Sequence, residues 1–268
     1  MKITKLILIL LTAVLAVCCV VNSLSAHAAG KGQGPTLECP EVLELSVSDP
    51  ESALLQGVTA YDKQDGDLTG RILIQGISKF IEDDTARISY LVFDSDGNMA
   101  TATCQIRYTD YQSPRFAITS PLTYSTNESV ALLDRIRVTD CLDGNITGNV
   151  RVSSLVATDD SSIYTVDLQV TNSMGDTVYL TLPLIRQNAT AATPVVYLSS
   201  YLVYLDKGTA FRAEDYLLSV TTAEGRGDKQ QVEITGLVDV NEPGVYYVYY
   251  RYTQESLVGT AVLTVVIG

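Results

Sequence analysis

Residues 61–69 read Tyr61-Asp62-Lys63-Gln64-Asp65-Gly66-Asp67-Leu68-Thr69, and residues 139–147 read Thr139-Asp140-Cys141-Leu142-Asp143-Gly144-Asn145-Ile146-Thr147. Each is an acidic, glycine-centred turn between two short runs of β-forming residues. Laying one over the other brings the rest of the chain into register. Three segments open alike: Pro35, Leu37, Cys39, Leu43 and Leu45; Pro114, Phe116, Ile118, Leu122 and Tyr124; and Pro194, Val196, Leu198, Leu202 and Tyr204. The prolines stand 79 and 80 residues apart and the apolar offsets are the same in each, so the chain is an internal triplication.

Each acidic turn leads into an alternating run, Ile72 and Ile74 or Val150 and Val152. The third unit keeps Val232 and Ile234 but carries AEGRGD, residues 223–228, where the acidic turn would be. The acids are therefore dispensable for the fold. Two further alternating runs flank a glycine turn in each unit: Ile88, Tyr90 and Val92 before residues 94–98 (DSDGN), and Val166, Leu168 and Val170 before residues 172–176 (NSMGD). In the third unit Tyr246, Val248, Tyr250 and Tyr252 lead to a degenerate turn. Period-two alternation bounded by Gly, Asp, Asn and Pro reads as antiparallel strands with one buried face. Several such strands in each unit, with no amphipathic helix, predict an all-β chain of three tandem small β-sandwich domains, over 35–110, 111–190 and a degenerate 191–268.

The first 28 residues read as a targeting segment. Lys2 and Lys5 form a basic start, residues 6–21 an apolar core, and Ala26-His27-Ala28 a small-x-small cleavage site, followed by a flexible leader over 29–34. Two other readings stay open: an uncleaved signal anchor, and a lipoprotein signal at Leu15-Ala16-Val17-Cys18, where Val17 replaces the expected small residue. No later run is long enough to span a bilayer, so membrane attachment is expected only through this segment. The 268 residues carry 31 acids against 18 bases, a net charge of -13, which repels nucleic acid and anionic lipid and suits solubility or cation binding.

The segments GVTAYDKQDGDLTGRILI and FDSDGNMATATCQI of unit one resemble a bacterial immunoglobulin-like domain family, also found in an insecticidal crystal protein. That family's pattern runs roughly VTAxDxxDGDLTxxI and later GxYxVxYxVxDxxGNxA. Unit one departs from it at Asp84-Thr85-Ala86, unit two has Asn172 for the usual Asp, and unit three keeps Gly244-Val245-Tyr246 but loses both acidic turns. The resemblance implies that the three sandwiches are tandem immunoglobulin-like β-sandwich domains, secreted or cell-surface spacer and binding modules with protein or glycan partners.

In an immunoglobulin-like arrangement the two turns of unit one share a pole, which would bring Asp62, Asp65 and Asp67 to Asp94, Asp96 and Asn98. Such a set suits calcium, a hard ion taking six to eight oxygens, whereas ordinary turn chemistry uses the same residue types. Unit two offers a poorer set in Asp140, Asp143, Asn145, Asn172 and Asp176. Cys39 and Cys104 occupy inward positions on the first and last strands of unit one, giving either a disulfide or two buried thiols. Cys141, inside the second acidic turn, is expected as a free thiol or an intermolecular bridge. Tyr247 and Tyr249 point away from Tyr246, Tyr250 and Tyr252, and would either stack on a sugar or protein partner or pack on the sheet. Catalysis is not expected. The single histidine, His27, lies in the targeting segment, and no nucleophile–base motif is present.

Overall fold

Gly66 and Gly144, at the centres of the two acidic turns, adopt φ of 78° and 71°. A residue with a Cβ is strained in that region, so the turn requires glycine there. Around these turns the computed structural model, which describes residues 34–160 and 162–268, is built from short strands linked by brief 3₁₀ turns. Residues 1–28, expected to be a targeting segment, and all of the expected leader except Gly34 lie outside the described residues.

The chain divides after Tyr111 into two units. The first holds one sandwich. Its smaller sheet pairs Thr36–Glu38 and Gly66–Asp67 with Thr59–Asp62 between them, and its larger sheet runs Val42–Leu45, Met99–Tyr108, Thr85–Phe93, Leu73–Ile77. The opening segment thus serves both sheets. Thr36–Glu38 is antiparallel to Thr59–Asp62, and after a crossing over residues 39–41 Val42–Leu45 runs parallel to the last strand. Pro40 sits in the crossing, where its missing N–H interrupts no ladder. Leu43, Leu45, Ala60, Leu68, Ile88, Tyr90, Val92 and Ile106 close the core between the sheets.

The second unit holds two more sandwiches of the same design. In one, Arg115–Ile118, Ile136–Asp140 and Gly144–Asn145 face a sheet ordered Arg151–Ala157, Ile163–Thr171, Thr177–Gln187, Thr123–Ser125. In the other, Val195–Leu198, Leu217–Thr222 and Gly225–Arg226 face a sheet ordered Leu202–Leu205, Leu257–Ile267, Gly244–Gln254, Glu233–Thr235. The third sandwich keeps the hairpin of the acidic turn without its acids, with Thr221 opposite Arg226 and Thr222 opposite Gly225. Backbone geometry and a glycine suffice for it.

Two local expectations change. The runs after the acidic turns are not half-buried strands from their first residue. Ile72 and Val150 are buried at the ends of 3₁₀ turns, and no side chain of Arg151–Ala157 is buried. These strands lie at a sheet edge, where only one flank has a neighbour to cover it. The degenerate turn of the third unit closes through Glu255, a non-glycine residue at φ 54°.

Candidate functional site

The two turns of unit one meet at one pole, as their spacing suggests, and they meet through hydrogen bonds. Asp62 is 3% exposed, and its Oδ1 accepts from the amides of Gln64 at 2.7 Å and Asp65 at 2.9 Å. Asp67 accepts from the Thr69 amide at 2.9 Å. Asp65 reaches across to the other turn and takes both the amide and the hydroxyl of Ser95, at 2.5 and 2.6 Å. Within that second turn Asp94 accepts from the backbone and side-chain nitrogens of Asn98, each at 2.7 Å. The Ser95 hydroxyl, followed by its amide, holds Asp65 below the usual carboxylate range, and Thr69 does the same for Asp67.

Four of the six candidate calcium ligands, Asp62, Asp65, Asp67 and Asp94, therefore already accept N–H or O–H bonds. Asp96 is exposed, and Asn98 is the donor to Asp94. Among the described residues no three His, Cys, Asp or Glu side chains are grouped so as to hold a metal ion. Turn closure uses the same carboxylates, and a carboxylate that accepts an N–H keeps further lone pairs.

The second sandwich repeats the cross-turn bonds, with Asn172 standing where unit one has Asp94. Asp140 Oδ1 accepts from the amides of Leu142 and Asp143, both at 2.9 Å, and Asp143 takes the Ser173 amide at 2.6 Å and hydroxyl at 2.7 Å. Asn172 adds a bond from its side-chain nitrogen to Asp140 Oδ2 at 3.0 Å. The only signal of the serines in the sequence is that Asp65–Ser95 and Asp143–Ser173 have the same separation. Cys141 is exposed, and its thiol donates to the Gln112 carbonyl at 3.2 Å.

Cys39 and Cys104 are brought together at the strand crossing. Both are thiols in the structure, with Cys104 Sγ 3.9 Å from the Tyr90 hydroxyl. Burial, reinforced by Cys39, pushes the Cys104 thiol up to about 11.

Tyr247 and Tyr249 do face away from their own core, but that face is turned to the second sandwich of the same unit. The Tyr247 hydroxyl donates to the Thr181 carbonyl at 2.9 Å, and burial pushes it up to about 12. Tyr249 lies under the Arg251 guanidinium, 5.9 Å from the ring centroid, and Arg251 pairs with Asp160 of the second sandwich at 2.9 Å. Tyr204 adds a third link by accepting from the Phe116 amide at 3.1 Å. Leu202 packs into the core cluster of the second sandwich. Alternation assigns a residue to a face of its strand, but not what lies against that face.

A further set of tyrosines was not anticipated as functional. Tyr90 donates to the Leu54 carbonyl, and Tyr250 donates to the Ala213 carbonyl at 2.7 Å, each tying a core strand to a 3₁₀ turn. In the second sandwich Leu168 holds the equivalent core position. Tyr124 takes over from another strand, donating to the Ala131 carbonyl at 3.3 Å.

No protein-family profile and no curated protein matches this sequence. Among solved structures, the CBM51-2 and INT domains of ZmpB from Clostridium perfringens, in complex with GlcNAc, align at 18% identity and a TM-score of 0.24, over 52% of this chain and 29% of that one. Mouse cadherin-23 EC22-24 aligns at 13% identity and a TM-score of 0.20, over 87% and 98%. The chain spans under a third of the ZmpB chains it aligns with. At these scores the fold assignment stands on the strand geometry described above.

Proposed function

We propose that this is a non-catalytic, exported bacterial protein of the surface or secreted kind, a structural spacer and adhesive module built from immunoglobulin-like domains over 35–110, 111–190 and 191–268. The observation that carries this reading is the fastening of the second and third sandwiches by Tyr247, Tyr204 and the Arg251–Asp160 pair. Outward side chains of the third sandwich hold it against the second, and the carboxylates and serines of the poles close turns. A chain that invests its polar groups in this way is suited to presenting surfaces at a fixed spacing. Its contacts at the cell surface would be to protein or glycan.

Cell fractionation with surface labelling, followed by binding of the purified protein to glycan arrays and matrix proteins in calcium and in chelator, tests the reading. Surface exposure with calcium-independent binding, or with no glycan binding, fits a spacer or protein adhesin. A glycan hit that requires calcium, together with a calcium-dependent rise in melting temperature lost on changing Asp65 and Asp94 to Ala, would replace it with a calcium-set lectin-like module. Retention in the cytosol would sink the export reading.

A further inference from the structure

Each larger sheet ends on the strand that follows the acidic turn or its counterpart, and the three edges differ. In the first sandwich the edge is Leu73–Ile77, five residues, with its register shifted at Gly76. In the third it is Glu233–Thr235, three residues, stopped by Gly236, where an added Cβ would meet the Tyr247 carbonyl oxygen at 2.3 Å. The second sandwich has the long one, Arg151–Ala157, seven residues, whose register shifts in the same way between Val152 and Ser154 and then runs regularly through Ala157. It carries no proline, lysine or acid, the residues that usually blunt a free edge. Val152, Leu155 and Val156 are 51%, 48% and 54% exposed. Val152 and Leu155 stand opposite Leu168 and Val166, so they point to the core side and still remain half open, while Val156, opposite Thr165, points outward. The core side of this edge is thus apolar and half open, and Val156 adds one uncovered apolar side chain to the outer face, beside Ser154 and Arg151.

Charge indicates what fits there. Arg151 begins the strand and Asp159 follows its end; both are exposed, and neither has an ion-pair partner among the described residues. The segment is self-complementary when read antiparallel about Leu155. Leu155 then meets Leu155, Val156 lies beside Ser154, and Arg151 of each copy reaches the stretch containing Asp159 of the other. We propose that Arg151–Ala157 is a homodimerisation edge, on which a second copy of this chain adds its own Arg151–Ala157 in antiparallel register, joining two four-stranded sheets into one of eight strands. The isologous geometry presents each apolar side chain and each charge twice. In this register residues 153–157 of each strand pair with one another, a small interface, so the dimer is weak and concentration-dependent.

Sedimentation equilibrium of the purified protein at near-physiological salt, up to roughly 1 mM, tests this together with two complementary charge variants. The protein is expected to show a monomer–dimer equilibrium, and Leu155→Lys to remain monomeric with an unchanged melting temperature. Arg151→Asp and Asp159→Arg each set like charges against one another in their own homodimer, so each alone is expected to be monomeric. An equal mixture restores dimer, because in the mixed pair both contacts join an Asp to an Arg. Wild-type protein that stays monomeric throughout overturns the proposal. So does a dimer indifferent to Leu155→Lys, or a mixture that associates no better than its components. A fold defect in Leu155→Lys leaves the decision to the charge variants, whose substitutions are on exposed side chains.

Discussion

Removing the hydroxyl of Tyr250 while keeping its ring is the most direct test of how these sandwiches are held together. Tyr250 is fully buried in the third core, and its hydroxyl donates to the Ala213 carbonyl at 2.7 Å. Tyr250→Phe leaves the packing intact and strips one acceptor of its donor, which costs about 1–3 kcal/mol. Tyr250→Ala also opens a cavity, raising the loss to about 3–5 kcal/mol. At roughly 2–4 °C per kcal/mol, the Phe variant should melt a few degrees lower. Urea unfolding should show a reduced midpoint and an unchanged slope. Burial, with the nearby Glu214 and Tyr216 charges, raises the Tyr250 hydroxyl above the ordinary 10.0. A group raised in the folded state contributes stability that is complete below the unfolded value and is lost as pH rises toward the folded one. Wild-type stability should therefore begin to fall above pH 10.0 more steeply than that of Tyr250→Phe. A Phe variant within roughly 0.5 kcal/mol of wild type, with the same alkaline slope, would refute the assignment of the hydroxyl as a tie between core and 3₁₀ turn.

Mild oxidation should join Cys39 to Cys104, closing a 65-residue loop worth about 4 kcal/mol in the chain-entropy treatment. The reaction should be slow at neutral pH because Cys104 stays protonated, and an unchanged unfolding midpoint after mass spectrometry confirms the bond would count against a strain-free pair. Asp65→Asn should speed hydrogen exchange at the Ser95 amide. It should also flatten the acid limb of the stability curve below pH 3.8, because the depressed folded value of Asp65 contributes stability above that pH and loses it as the carboxylate protonates. If Ser95 exchange does not change, the cross-turn bond is not holding the pole. Gly259→Ala places a Cβ at 2.1 Å from the Pro194 carbonyl oxygen, so calorimetry should record a loss of about 1–3 kcal/mol, and a neutral result would mean the strand start yields freely.

Much of this architecture is written locally. The triplication, the sandwich class and the turn glycines follow from short-range chemistry: alternation marks a buried face, and a glycine at positive φ marks a hairpin, whatever lies elsewhere in the chain. The pairing of acidic turn with hairpin turn was legible as a shared pole. Its substance was not, because the decisive partners, Ser95 for Asp65 and Ser173 for Asp143, stand 30 residues away and bond through their backbones as well as their hydroxyls. The same limit explains Tyr247 and Tyr249. Their outward direction is a property of the strand, whereas the second sandwich lying against them is a property of the assembled unit. It explains the edge too: Val152 and Val150 read alike in an alternating run, yet Val150 is buried and Val152 is 51% exposed, because burial depends on whether a neighbouring element exists to cover the side chain. Sequence alone determined which residues turn, alternate and repeat, since those are preferences of the backbone and of the residues next to it. Only the tertiary structure decided which groups each carboxylate bonds, which tyrosines were interior and which strand was left without a neighbour, since those depend on contacts between parts of the chain far apart in sequence.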